Sequence, residues 1–191
     1  GQKMGDTKVT DMMIGALNCP FGTGHMGVTA ENISRELAIS RQEQDEFAAE
    51  SQKRALSAIK NSYFTDQIVP IEISKKRQLK KFDTDEHPKA TTIENLSELK
   101  PIFVSNGTVT AGNSSGINDG AAAIVLGTSK GVSDRNLKPV AKILGYTQTG
   151  VRPEVMGLGP VPAVNKLCEN LKLRTSDFDV IESNEAFAAQ A

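Results

Sequence analysis

Large aromatic side chains and cysteine are scarce in this sequence. Its 191 residues include no tryptophan, two tyrosines and two cysteines. The lack of aromatics argues against a surface that stacks the bases of single-stranded nucleic acid. Cys19 and Cys168 share no CxxC or Cys/His spacing, so neither a disulfide framework nor a metal site is predicted. We therefore expect a reducing compartment, the cytoplasm first and the mitochondrial matrix second.

An excess of one charge and long apolar runs are lacking as well. Lys and Arg number 22 against 23 Asp and Glu, so no net field favours nucleic acid or an anionic membrane. No apolar run approaches the roughly 20 residues that span a bilayer. The hydrophobic content of 38% suffices for one sizeable core. We expect a soluble globular protein with no membrane partner.

The first part of the chain carries helix signals. Ser40 and Glu43 have the spacing of a capping box and predict a long helix over about residues 41–61. Thr91 and Glu94 predict a second, shorter capped helix. The apolar face of the long helix is predicted at positions four residues apart: Phe47, Ser51, Ala55 and Ile59.

The second part of the chain alternates strand and helix patterns. The runs "AAAIVLGT", "PVAKILGYTQ" and "DFDVIES" are typical of strands, and "PVPAVNKLCENLKL" has the period of an amphipathic helix. Upstream, "QIVPIEIS" alternates and predicts an edge strand, because Pro70 has no amide to donate. This order predicts a layered α/β core with right-handed crossovers.

Several stretches combine polar groups with exposed backbone, and each has two interpretations. Asn184 follows a predicted strand and begins a predicted helix, either as a helix cap or as a ligand-binding amide. His25 and Met26 lie in a glycine-rich loop, either as a surface imidazole beside a packed thioether or as part of a site. The stretch "TAGNSSGINDG" suits a ligand with amide or phosphate groups, or a tight interdomain connection. The run "KKRQLKK" is a solvated turn or a screen for phosphates.

Three motifs taken together resemble one family. "GHMGVTAENIS", "NGTVTAGNSSGINDGAAA" and "NEAFAAQA" stand in the order and spacing of thiolases, and the resemblance covers essentially all 191 residues. It implies an α/β thiolase fold fragment, with a helix-rich loop domain plus part of a layered α/β/α/β/α core. Residues 1–117 are then the CoA-binding loop domain, 118–137 the end of the N-terminal half, and 138–191 the start of the C-terminal half.

The resemblance also implies the chemistry. Thiolases use a cysteine nucleophile, a histidine in a GHP motif and a second cysteine in a CxGGG motif, and all three are expected outside this chain. Neither Cys19 nor Cys168 matches these motifs. By resemblance, Asn184 holds a water of the oxyanion hole for the thioester oxygen.

The remaining site residues are carried over from the same resemblance. Ala186 and Phe187 line the acyl and pantetheine pocket, and Ser115 and Ala111 bind the pantetheine amides. Lys89 contacts the nucleotide phosphates at a position where the family commonly has arginine. The walls of the acyl and pantetheine pocket are Leu17, His25, Met26 and Phe103. Met26 directly after His25 resembles the sequence of the short-chain members of the family.

The expected function is that of a portion of an acetyl-CoA C-acetyltransferase. The parent enzyme condenses two acetyl-CoA to acetoacetyl-CoA and CoA, or runs the reverse thiolysis, with CoA thioesters as substrates and no permanently bound cofactor or metal. It is expected to be a homotetramer or a dimer, and this chain alone is expected to be inactive. The alternatives are a stand-alone acyl-CoA binding module without catalysis, and nucleic-acid binding through "KKRQLKK".

Overall fold

The computed structural model describes residues 3–75 and 78–191. Within these ranges, no helix is both long and apolar enough to cross a membrane. Three short 3-10 helices lie at Thr65–Gln67, Pro153–Leu158 and Thr175–Asp177. The other elements, in chain order, are α1 (Met12–Leu17), β1 (Asn18–Cys19), β2 (Gly24–His25), α2 (Met26–Glu36), α3 (Arg41–Lys60), β3 (Ile71–Lys75), β4 (Gln78–Phe82), α4 (Ile93–Ser97), α5 (Ser129–Asp134) and α6 (Pro160–Leu171).

The chain divides into two compact units. The first comprises Gly1–Gly116, Pro153–Gly157 and Ser183–Ala191, and the second comprises Ile117–Arg152 and Leu158–Glu182. All residues of the predicted site belong to the first unit.

Helix α3 begins at the predicted capping box. The Ser40 hydroxyl accepts from the Glu43 amide at 3.2 Å, and the Glu43 carboxylate accepts from the Ser40 amide at 2.7 Å. These two bonds satisfy amides that have no partner within the helix, so the predicted long helix is confirmed.

The predicted second capping box at Thr91 is wrong by one residue. The hydroxyl of Thr92 accepts from the Asn95 amide at 3.3 Å, and α4 begins at Ile93. Because the helix begins one residue later than predicted, Glu94 occupies the second helical position and not the third.

Two antiparallel hairpins lie in the first unit. In the first, Asn18 of β1 is opposite His25 of β2. In the second, Ile71 of β3 is opposite Phe82 of β4, and the predicted strand is confirmed with Pro70 just before it. The basic run at residues 75–81 includes positions 76 and 77, which lie outside the described residues.

The core of the first unit is small. Ala30, Val109 and Ala189 are almost fully buried, and Phe103 and Phe187 pack against them. The core joins α2, the stretch after α4 and the last residues of the chain, and these segments carry the site.

Residues 184–191 do not form the predicted two helical turns. Phe187 makes an antiparallel bridge with Ser114, and one turn follows, in which the Ala191 amide donates to the Phe187 carbonyl at 3.1 Å. The helix is absent because the Ala186 carbonyl and the Ala188 amide are already paired with other backbone groups.

The three strands predicted in the second part are unpaired among the described residues. Val125, Val140 and Val180 represent them and are 97%, 103% and 76% exposed. A strand is defined by a hydrogen-bonded neighbour, and none of the described segments lies in register beside these runs. The predicted helix is confirmed as α6, with Cys168 buried.

Candidate functional site

Three rings form an apolar surface that we call the aromatic wall: His25, Phe103 and Phe187. His25 stacks on Phe103 with ring centroids 4.7 Å apart and planes inclined by 20°. Phe103 meets Phe187 edge to face at 6.1 Å and 84°. A side chain at Gly27 would overlap the Phe103 ring, so glycine makes room for the central ring. Both ring geometries are favoured for aromatic pairs.

His25 is fixed by its position at the start of α2. Its Nδ1 accepts from the Gly27 amide at 3.0 Å and caps the helix. In the neutral imidazole the ring proton is therefore on Nε2. Half-buried, stacked and hydrogen-bonded, His25 is not a free surface imidazole.

A second surface lies where residues 113–115 meet residues 186–188. The Ser115 amide donates to the Ala186 carbonyl at 2.9 Å, and the Ala188 amide donates to the Asn113 carbonyl at 2.9 Å. Ser115 itself is exposed, and Phe187 between these bonds belongs to the aromatic wall. The structure thus links five of the predicted site residues, three through ring contacts and Ser115 with Ala186 through a backbone bond.

Two buried carboxylates hold this region and were not predicted. Glu31 is 7% exposed and accepts from the amides of Thr108, at 2.9 Å, and Val109, at 2.8 Å. Asp45 is 1% exposed and accepts from Asn113 Nδ2 at 3.0 Å.

A sequence signal for these carboxylates exists in the helix spacing. Positions 27, 30, 31 and 34 of α2 and positions 41, 44, 45 and 48 of α3 follow i, i+3, i+4 and i+7. Glu31 and Asp45 thus stand on faces whose other members are mainly small or polar. A search for apolar residues alone misses such faces.

Helix α3 also contacts two outlying segments of the predicted site. The Ser51 hydroxyl donates to Glu185 Oε2 at 2.5 Å, next to Asn184. Gln52 accepts from the Lys89 amide at 2.8 Å. The side chains of Asn184 and Lys89 are exposed, so both remain accessible to a ligand.

The other predicted site residues lie around these surfaces. Leu17 ends α1 just before the β1–β2 hairpin, and Met26 begins α2; both are half-buried. Ala111 is exposed on the loop that precedes Ser115. The described contacts do not join these three residues to the aromatic wall.

His87 is a further residue at this region that was not predicted. Its ring lies so close to Gly116 that any side chain at position 116 would overlap it. The segment before Lys89 therefore packs directly against the glycine that follows Ser115.

Metal-ligating groups and the two cysteines are the remaining candidates for chemistry. Among residues 3–75 and 78–191, no group of three His, Cys, Asp or Glu side chains is placed to hold a metal ion. The nearby Thr23 hydroxyl is the main cause that lowers the pKa of the Cys19 thiol below its ordinary value. Cys168 is buried in the second unit.

Family models match nearly all of this chain, and known proteins match its whole length. A model described as thiolase, N-terminal domain, matches residues 1–130, and one described as thiolase, C-terminal domain, matches residues 137–191. The beta-ketothiolase BktB of Cupriavidus necator is 53% identical, over 100% of this chain and 49% of that protein.

Solved structures agree with this match. An acetyl-CoA acetyltransferase from Bacillus anthracis has a TM-score of 0.87 at 46% identity, covering 100% of this chain and 48% of its own. A human mitochondrial 3-ketoacyl-CoA thiolase in complex with CoA has a TM-score of 0.84 at 40% identity, with coverage of 100% and 48%. The predicted α/β thiolase fold is confirmed, and the chain spans about half the length of the relatives it matches. With both family models matched in order, the chain belongs to the thiolase family.

Proposed function

We propose that the protein containing this chain is an acetyl-CoA C-acetyltransferase. It condenses two acetyl-CoA to acetoacetyl-CoA and CoA, or runs the reverse thiolysis, by acyl transfer to a cysteine outside this chain. The observation that carries the proposal is the aromatic wall beside the Ser115–Ala186 contact. Apolar rings edged by exposed amide and hydroxyl groups suit pantetheine, which is an apolar chain interrupted by amides.

The proposed roles are those that the resemblance to thiolases implies. Ser115 and Ala111 are exposed and bind the pantetheine amides, while the aromatic wall packs against its methylene groups. Lys89 offers a positive charge to the phosphates as a point charge, without the fork of an arginine. Asn184 holds a water against the thioester oxygen and stabilises charge that develops there.

Relatives of this chain support the choice of ligand. One solved thiolase that resembles it is described in complex with CoA, and another is described as an acetyl-CoA acetyltransferase. The beta-ketothiolase name of a further relative leaves the acyl chain to be settled. Met26 beside His25 leads us to propose short acyl chains.

The proposal extends to three further properties. The parent acts as a homodimer or homotetramer in the cytoplasm, and it uses CoA thioesters as substrates without a permanently bound cofactor. The domain ranges 1–117, 118–137 and 138–191 stay a prediction.

An assay of the full-length gene product tests the proposed function. It is expected to consume acetoacetyl-CoA only when CoA is added, with the ping-pong kinetics of a covalent acyl-enzyme. Binding of CoA without any turnover would instead support an acyl-CoA binding module. Binding of an oligonucleotide without binding of CoA would support the nucleic-acid alternative.

A further inference from the structure

Asp45 is a buried carboxylate that the proposed function leaves without a role. It lies on α3 and is 1% exposed. Its Oδ2 accepts from Arg41 Nε at 2.7 Å, and its Oδ1 accepts from Asn113 Nδ2 at 3.0 Å. A buried carboxylate is costly unless donors surround it, so this position depends on both partners.

Asn113 has only one orientation that satisfies its neighbours. Its Oδ1 accepts from the Thr110 amide at 2.7 Å, and its Nδ2 also donates to the Thr108 carbonyl at 3.0 Å. A flipped amide would direct its NH2 group at the Thr110 N–H, and its oxygen at the Thr108 carbonyl. Asp45 offers only acceptors, so it matches the orientation that the loop requires.

The backbone around Asn113 connects this side chain to the surface that carries Ser115 and Phe187. Its carbonyl accepts from the Ala188 amide, and two residues later the Ser115 amide donates to the Ala186 carbonyl, each at 2.9 Å. Phe187 bridges to Ser114 between these bonds. A shift of Asn113 therefore displaces both sides of the surface that carries Ser115 and Phe187.

We propose that Asp45 is a positioning residue for the CoA-thioester pocket. Through Asn113 it keeps residues 113–115 in register with residues 186–188, so that Ser115 and Phe187 contact the same ligand. This inference rests on the proposed function. Asp45 acts through Asn113 and not by contact with the ligand, because its own side chain is buried and occupied.

The substitution Asp45→Asn in the full-length protein tests the inference. An Asn side chain has one acceptor oxygen, so either Arg41 or Asn113 then faces an NH2 group. We expect the KM for acetoacetyl-CoA to rise about tenfold, the loss expected for a hydrogen bond to a charged group. The kcat is expected to change by less than about threefold, because the Ser51–Glu185 contact holds the segment of Asn184 separately.

Glu46→Gln is the matched control. It removes the same charge from the next residue of α3, where the side chain is exposed. The KM is expected to stay at the wild-type value. An unchanged KM in Asp45→Asn, or an equal rise in Glu46→Gln, would overturn the proposal, even if Asp45→Asn lowered the Tm.

A second variant covers the case in which Asp45→Asn does not fold. Asn113→Ala leaves the Arg41–Asp45 ion pair in place and removes the link from Asp45, together with the bonds of the Asn113 side chain to Thr110 and Thr108. It is expected to raise the KM by a similar factor, and an unchanged KM would count against the proposal. If both single variants fold, the KM of the double variant is expected to be no higher than that of the more impaired single variant, because the effects of coupled residues are not additive.

Amide hydrogen exchange separates this inference from the proposed function. The Ser115 and Ala188 amides are expected to exchange about tenfold faster in Asp45→Asn, measured without any ligand, while the amides of α2 keep their protection. Unchanged protection at Ser115 and Ala188 would sink the positioning role. If the wild-type protein does not turn over acetoacetyl-CoA, the proposed function fails, while the exchange result still reports on Asp45.

Discussion

At the scale of single residues, the site depends on positions without a large side chain. Gly27 leaves the space that the Phe103 ring fills, and Gly116 leaves the space that the His87 ring fills. Adding even one methyl group at either position forces a ring to move, because the added carbon would overlap the ring atoms. These glycines are required by close approach and not by backbone conformation.

Asn184 gives the residue-scale prediction. If it holds a water of the oxyanion hole, Asn184→Ala is expected to lower kcat by roughly 100-fold and to leave KM within about threefold, since the interaction forms mainly in the transition state. Steady-state kinetics with acetoacetyl-CoA measures both constants.

Asn95→Ala is the control for this measurement, because Asn95 is exposed on α4 and belongs to no predicted site. It is expected to leave both constants unchanged. A raised KM with an unchanged kcat in Asn184→Ala would contradict this prediction, because it would show that Asn184 stabilises the bound substrate and the transition state equally.

Much of the site could be predicted at this scale, and the reason lies in local motifs. His25, Ser115 and Phe187 lie in the three motifs that carry the resemblance, and Phe103 was carried over from the same resemblance. The structure places the three rings in contact and the Ser115 amide on the Ala186 carbonyl. Glu31 and Asp45 were missed because a carboxylate is ordinarily placed on the surface. Their burial depends on amides contributed by residues 108–113, which lie far away in sequence.

At the scale of elements, α3 illustrates how a polar helix face becomes buried. The predicted face at residues 47, 51, 55 and 59 is only half-buried, while Gln44, Asp45 and Ala48 are fully buried. Hydrophobic periodicity predicts the buried face of a helix from its apolar residues. In α3, hydrogen bonds of polar side chains decide which face is buried. The start of the helix was predictable, because a capping box depends on neighbouring residues alone.

The capping box at the start of α3 gives the prediction for this scale. The Ser40 amide and hydroxyl hold the pKa of Glu43 below its ordinary value. Such a carboxylate stabilises the fold above its unfolded pKa, and this contribution disappears as pH falls through the lower folded pKa. Glu43→Gln is therefore expected to lower the Tm at pH 7, and the difference is expected to shrink as the pH falls below about 4.

Thermal unfolding by circular dichroism at both pH values checks this dependence. The control Glu46→Gln carries the same change on the exposed surface of α3, away from the helix start. Its Tm is expected to follow the wild type at both pH values. A Glu43→Gln difference that persisted undiminished at low pH would contradict the assignment.

At the scale of the whole molecule, the two units differ in how far they bury their apolar residues. The first has a small core made by α2, residues 103–109 and the last residues of the chain. The second leaves its three predicted strands unpaired and exposed. Their apolar sequences were identified correctly, but pairing is a non-local property that these runs do not specify.

Exposed apolar runs with unpaired backbone groups are prone to pairing with another copy. We expect the 191-residue chain produced by itself to self-associate at concentrations of about 50 μM. The double variant Val125→Lys with Val140→Lys adds charge to two of these runs, both highly exposed, and is expected to reduce the association. Light scattering after gel filtration gives the molar mass.

Ser129→Lys with Ser133→Lys is the control, because it adds the same charge on α5, a helix with no buried residue. It is expected to leave association largely intact. A monomeric wild-type chain, or equal suppression by both double variants, would show that the apolar runs are not responsible.

Helix α3 limits how far the three segments that it contacts can move independently of one another. Its contacts to the loop at Asn113, to Glu185 and to the Lys89 amide come from positions 45, 51 and 52 of one helix about 30 Å long. A helix of this length bends little. The three loops are distant in sequence, but because each is bonded to this helix we expect them to move together with it. Thermal motion then changes the distance between Asn184 and Lys89 less than it would if three separate loops carried these segments.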